Sequence, residues 1–323
     1  MRCSRLALSG LACLALSASC ATATAASPPL TVAPAKLKAA LHCHGALAGA
    51  TAEPIMLVTG TGASGEEAYA IGKGAFEAYG HPVCDVDFPN HTTADIQVSV
   101  QYLVYGTREE ARRAGRRIAV IGISQGGLLP RVALTYWPDL RGKVTDVVAA
   151  AGTQHGSTAG SGCVTARPCT PAGWQQRAGS HFLRALNAQA DETPGPTAWT
   201  TLRSSTDEVV QPQTGPHPTS ALAGATNILI QSVCPGRKVT HIGTALDSVT
   251  FAAFEDALAH PGPAKVSRLP KGVCDRPYAD GLDPAATASL ITAAATLTSG
   301  RQGSEPRTVA EPAVRALFKR KLG

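Results

Sequence analysis

Between residues 54 and 151 the chain alternates short apolar runs with longer amphipathic stretches. Pro54-Ile-Met-Leu-Val58 has no polar position, as a strand buried on both faces requires, and Glu66 to Tyr79 then carries apolar residues at helical spacing up to Gly80. Val83 to Phe88 reads as the next strand and Thr93 to Arg113 as a long amphipathic helix. Ile118 to Ile121 is again wholly apolar, Gly127 to Trp137 is helical until Pro138 stops it, and Val144 to Ala151 is a further short strand. This βαβαβ order predicts an α/β fold, with a mostly parallel central sheet and helices on both faces. From Gly152 to Pro171 the periodicity dissolves into Gly, Ser, Thr and Pro, the composition of a loop over a site. Farther on, Thr200 to Ser204 and Ile228 to Val233 are strand candidates, while Val249 to Ala259 and Pro284 to Leu297 are helical. No internal repeat or flexible linker interrupts residues 27–323, which read as one domain.

The apolar run at 118–121 leads straight into Gly122-Ile-Ser124-Gln-Gly126, a Gly-x-Ser-x-Gly lying between a strand and a helix. A serine hydroxyl is a weak nucleophile at neutral pH, so it must sit on a tight turn where a base can reach it and the backbone leaves the substrate room. In a chain with 32 glycines the five letters alone carry little weight, but the strand before and the helix after identify a nucleophile elbow. A serine on such an elbow takes its acid and then its histidine from loops at the carboxyl ends of later strands. Three histidines qualify by order: His217, His241 and His260. His217 lies between two prolines, and His260 ends a helix before Pro261, as a capping residue would. His241 follows the candidate strand at 228–233, on a loop that a Cys234–Cys274 bridge would hold. For the acid, Asp207 in Ser204-Ser-Thr-Asp-Glu-Val-Val-Gln-Pro212 directly follows a strand and precedes His241 by 34 residues. Glu208 is its rival, and because adjacent side chains on an extended segment point opposite ways, only one of the two can face the imidazole.

The first 26 residues have the layout of an export signal: Arg2 and Arg5, an apolar stretch from Leu6 to Leu16, then small residues through Ala26. The apolar core is too short for a permanent membrane span, so the mature protein is expected outside the cytosol without a transmembrane segment. Cys20 raises lipid attachment as a second route to the cell surface. With Cys3, Cys13 and Cys20 in the leader, the mature chain keeps Cys43, Cys84, Cys163, Cys169, Cys234 and Cys274. Export favours disulfides, and pairing sequential neighbours is the simplest of the roughly 15 possible sets. His42-Cys43-His44 lacks a second ligand cluster at zinc-like spacing, so no metal is expected. The formal charge of +6 falls to about +4 once Arg2 and Arg5 leave. Its basic residues gather at Arg112-Arg113, Arg116-Arg117 and Lys319 to Lys321 without interleaved aromatics, the pattern of a solvated face rather than of nucleic-acid binding.

Together these residues resemble the α/β-hydrolase lipases of the Candida antarctica lipase B type. The resemblance rests on Thr59-Gly-Thr-Gly-Ala-Ser-Gly65, Ser124-Gln-Gly-Gly, Trp174-Gln-Gln with Gly179-Ser180, and Ser205-Thr-Asp-Glu-Val-Val-Gln-Pro212. It extends to the cysteines at 43, 84, 234 and 274 and to Glu305-Pro306, so it spans nearly the whole mature chain. It implies the α/β-hydrolase fold, a triad of Ser124, Asp207 and His241, and an oxyanion hole from the Thr61 and Gln125 amides, with the Thr61 hydroxyl as a third donor. Gln176 matches a pocket glutamine of the family. Three departures stand out. Ile123 replaces a bulky Trp beside the nucleophile, which should widen the pocket for the alcohol part of an ester and relax chiral selection. The region matching the family's short mobile lid carries Cys163 and Cys169, whose bridge would restrain it and leave little interfacial activation. The family's last disulfide has no counterpart, since no cysteine follows Cys274.

The expected function is a secreted serine ester hydrolase, needing no cofactor and acting on an ester or lipid through an acyl-enzyme; a monomer is favoured, though the sequence does not set the oligomeric state. Delivery of the acyl group to an alcohol is the alternative within that chemistry. An exported binding or scaffold module on the same fold is the alternative from another class. Aromatic residues at 5% argue weakly against adsorption to large aromatic polymers.

Overall fold

The computed structural model describes residues 27–158 and 162–321; the expected leader, with Cys20, lies outside the described residues. Seven strands form one sheet: β1 (Leu41–His44), β2 (Ile55–Val58), β3 (Val83–Val86), β4 (Ile118–Ile123), β5 (Val144–Ala150), β6 (Ala198–Arg203) and β7 (Thr226–Leu229). Their spatial order is β1-β3-β2-β4-β5-β6-β7. β1 runs antiparallel to β3, and every other neighbouring pair is parallel. Because side chains alternate along a strand, Met56 and Val58 of β2 join one core while Ile55 and Leu57 join the other. The helices Ile96–Ala114 and Gln125–Tyr136 supply the first core, and Gly65–Tyr79 and Ser248–Ala259 the second. The fold is that of an α/β-hydrolase, a mostly parallel sheet covered on both faces.

Local chemistry sets the element ends. The Gly65–Tyr79 helix opens with a capping box, in which the Glu67 amide donates to the Ser64 hydroxyl while the Glu67 carboxylate accepts from the Ser64 amide. It closes on Gly80 in the left-handed region at φ 76°. Three disulfides form: Cys43–Cys84, Cys163–Cys169 and Cys234–Cys274. The first staples β1 to β3 at directly opposed positions.

Two elements depart from the sequence reading. The run at 228–233 is not a single strand: β7 ends at Leu229 and Ile230–Val233 turns helical. β7 is an edge strand with one neighbour, so its sheet pairing ends with β6, and an apolar run of that length is compatible with either structure. The helix expected to stop at Leu297 continues to Ser304. Gly300 and Gly303 weaken it locally, yet Arg301 pairs with both oxygens of Glu67 at 2.5 and 2.7 Å and holds the last turns against the body. The same pairing keeps the Glu67 carboxyl below its usual range.

Candidate active site

β2 and β4 lie side by side, with Val58 opposite Gly122, so the loops leaving their carboxyl ends emerge together. Ser124 follows β4 at once and caps the Gln125–Tyr136 helix, with φ 59° and ψ −123°. A residue other than glycine in that region is strained, by on the order of 1–3 kcal/mol, and persists only where its surroundings impose it. The surroundings here are close backbone approaches. A Cβ on Gly122 would overlap the Gly126 carbonyl, and one on Gly126 would overlap the Val58 carbonyl. The turn also ties itself down, as the Ser124 amide donates to Ala150 O at 3.0 Å and the Gly127 amide to Ser124 O at 2.9 Å.

Asp207, past the end of β6, is 2% exposed, and its Oδ2 lies 2.9 Å from Nδ1 of His241, itself 6% exposed. The other carboxylate oxygen, Oδ1, accepts the Val209 and Val210 amides, each at 2.8 Å. Gln213 Nε2 stands 3.5 Å from Oδ2 and donates to Ser220 Oγ at 2.9 Å. Glu208 takes a separate role: its Oε2 accepts the backbone N–H of His241 at 3.0 Å. The two neighbouring carboxylates thus hold the same histidine, one at the ring and one at the main chain. The Val239 carbonyl, two residues earlier, accepts the Ser204 hydroxyl at 2.8 Å, and Cys234–Cys274 closes the segment from the other side.

Thr61, in the loop after β2, donates its hydroxyl to Gln125 Oε1 at 2.8 Å. Gln176 Nε2 donates to both Thr61 Oγ1 and Gln125 Oε1 at 2.9 Å, while Gln176 Oε1 accepts from Thr153 Oγ1 at 3.0 Å. Four distant parts of the chain therefore lock one another's side chains. Among the described residues, neither the Thr61 nor the Gln125 backbone N–H has an acceptor. Since the Thr61 hydroxyl proton already points at Gln125, that hydroxyl must rotate before it could donate elsewhere.

Ser124, His241, Thr61, Ile123 and Gln176 all line one cleft of about 770 Å³. The outer wall is the Pro284–Ser304 helix, which presents Ala294, Thr298 and Gln302, and the loop closed by Cys163–Cys169. Ser124 is 8% exposed at its floor. His217 lies away from the cleft on the surface, and His260 caps the Ser248–Ala259 helix with Nδ1 3.0 Å from Asp256 O. His44 lies 2.8 Å from Asp85 and stacks on Tyr69, while His42 faces Asp87. Thr153 and the main-chain role of Glu208 have no signature in the sequence, because their partners lie 23 and 33 residues away; Gln213 meets Asp207 and Ser220 within its own loop, with no motif to mark it.

No protein-family model matches the chain. Lipase B of Pseudozyma antarctica is 32% identical over 282 residues, covering 84% of this chain and 82% of the relative. The solved structure of Aspergillus fumigatus lipase B superposes with a TM-score of 0.82 at 28% identity, over 91% of this chain and 74% of its own. A Bacillus licheniformis lipase in its propeptide form shares the fold alone, with a TM-score of 0.51 and 17% identity over 70% of this chain and 54% of its own. On this likeness along most of its length, the chain belongs to the α/β-hydrolase lipases and is a lipase or esterase, a hydrolase of carboxylic esters.

Proposed function

We propose that residues 27–323 form one secreted catalytic domain in which Ser124 attacks the ester carbonyl, His241 takes its proton and Asp207 fixes the imidazole. The observation that carries this reading is the buried 2.9 Å Asp207–His241 contact, opening into the same cleft as a serine held on a strained turn. With Nδ1–H given to the carboxylate, the other ring nitrogen is left as the acceptor that a serine proton requires. Proton transfer and attack generate a tetrahedral oxyanion, which the Thr61 and Gln125 amides would receive. Preorganised donors of this kind lower a barrier by on the order of 3 kcal/mol each, because they need no reorganisation as charge develops. The imidazolium then protonates the leaving alcohol, and water enters by the reverse sequence to free the acid. An alcohol in place of water would give acyl transfer from the same intermediate. Three disulfides agree with a chain that matures outside the cytosol, and among the described residues no helix is long and apolar enough to cross a membrane.

The test is labelling with a fluorophosphonate alongside hydrolysis of a neutral nitrophenyl ester. Wild type should react and turn over, and Ser124→Ala should do neither. An inert, folded wild type would favour a binding module on the same fold, and a Ser124→Ala protein that still turns over would place the nucleophile elsewhere.

A further inference from the structure

The mouth of the cleft is strongly cationic and its charges are unclaimed. Arg167 stands on the disulfide-closed loop, Arg177 follows Gln176, and Arg307 comes just after the Pro284–Ser304 helix; all three line the cleft. Elsewhere Arg131, Arg237, Arg268 and Arg301 each meet a carboxylate, whereas among the described residues none of the three at the mouth does. Arg167 Nε donates to Gly162 O at 2.5 Å, and Arg307 reaches only the carbonyls of Pro168 and Gln302, at 3.5 and 3.3 Å. Arg177 lies over the Trp174 ring, 5.2 Å from its centroid, and its Nε is buried with no acceptor. The one carboxylate lining the cleft, Glu208, already accepts the His241 amide. Three guanidinium groups therefore line a cleft whose one carboxylate pairs with none of them.

We propose that this rim binds an anionic group of the substrate, a carboxylate or phosphate carried at a distance from the ester that Ser124 attacks. Guanidinium forks match the paired oxygens of such groups, and charges of one sign around a cleft concentrate ligands of the other. Arg177 is the best placed, because the backbone beside it is pinned: the Ser157 amide donates to Gln176 O at 2.9 Å and the Ala178 amide to Ser157 O at 3.3 Å. The Trp174 face further restricts its guanidinium. The rim is thus a specificity device for charged esters, and it rests on the Ser124 reading for the position of the scissile bond.

The experiment uses the full chain with nitrophenyl half-esters of α,ω-dicarboxylic acids, over a series of lengths, against neutral nitrophenyl alkanoates of equal length. A parallel series ending in a phosphate distinguishes the two anions. For at least one length, the anionic-to-neutral ratio of kcat/KM should fall about tenfold in Arg167→Gln/Arg177→Gln/Arg307→Gln, through KM rather than kcat, as expected for a few partly exposed charge contacts. Arg167→Lys/Arg307→Lys should keep most of that ratio. In wild type the same ratio should fall as salt rises from about 0.02 M to about 0.5 M, a readout that needs no variant. A ratio insensitive to both salt and the triple substitution at every length overturns the proposal. Loss of turnover on the neutral esters in wild type would instead overturn the Ser124 reading, so the two failures are distinct.

Discussion

Asp207 and Asp146 are both buried carboxylates beside the central sheet, one past the carboxyl end of β6 and the other near the amino end of β5, and their oxygens are served very differently. Asp207 has two main-chain amides on Oδ1 and an imidazole on Oδ2. Asp146 leaves Oδ1 with no partner, and burial, followed by the nearby charge of Glu53, pushes its pKa up to about 7. A carboxylate whose two oxygens are both held by donors keeps its direction, which is what an acid orienting a histidine must do. One that is merely enclosed trades its charge for a proton. The contrast is between a carboxylate held for a partner and one that is only buried.

Substituting the two acids beside His241 tests that distinction most sharply. Asp207→Asn should lower kcat on a neutral ester by on the order of 10⁴, because an amide cannot stabilise the imidazolium and can favour the wrong tautomer. Glu208→Gln keeps an oxygen for the His241 amide and should lose less than about tenfold. Equal losses would mean that the chemistry does not depend on which carboxylate meets the ring. Next in size is Thr61→Val, which breaks the lock between Thr61, Gln125 and Gln176. If the hydroxyl rotates to the oxyanion, kcat should fall on the order of 10²-fold, with KM little changed. A fall below about threefold would assign the oxyanion to the amides alone.

The disulfide-closed loop at the cleft gives a smaller effect. Cys163→Ser/Cys169→Ser opens a short loop and should cost about 2 kcal/mol of stability, whereas Cys43→Ser/Cys84→Ser opens a far longer one and should cost about 4 kcal/mol. With the short bridge intact, rates measured below and above the solubility limit of one ester should rise smoothly; a steep jump there would contradict a restrained loop. Smallest is Asp146→Asn. The folded state holds the Asp146 proton up to about pH 7 while the unfolded chain releases it near 3.8, so wild-type stability declines as pH rises through that window. Asp146→Asn should flatten that decline and raise Tm relative to wild type above pH 7, and parallel Tm profiles would contradict it.

The buried centre of the sheet was the most legible part of the sequence. Strands buried on both faces, such as Ile55–Val58 and Ile118–Ile123, declare themselves through unbroken apolar runs, and the elbow follows from the glycines that such close packing demands. Asp207 and His241 could be placed by chain order, since each follows a strand of that sheet. β1 stayed hidden because Leu41–His44 is half-buried and becomes a strand only through antiparallel pairing and a disulfide to β3. The last turns of the Pro284–Ser304 helix were equally opaque, as two glycines argue for a loop and only Arg301 meeting Glu67 across the molecule overrides them. The Thr61, Gln125, Gln176 and Thr153 network joins four loops or helix ends, and nothing in the spacing of those residues anticipates it.

The most direct measurement is of the covalent intermediate itself. Wild type mixed with excess nitrophenyl ester, quenched with acid within the first turnovers and digested, should yield one acylated peptide, with the added mass on Ser124, and an early burst of nitrophenol that matches its amount. The acylated peptide and the burst should both vanish in Ser124→Ala. An acyl group found on another residue, or turnover that persists without Ser124, would contradict the account.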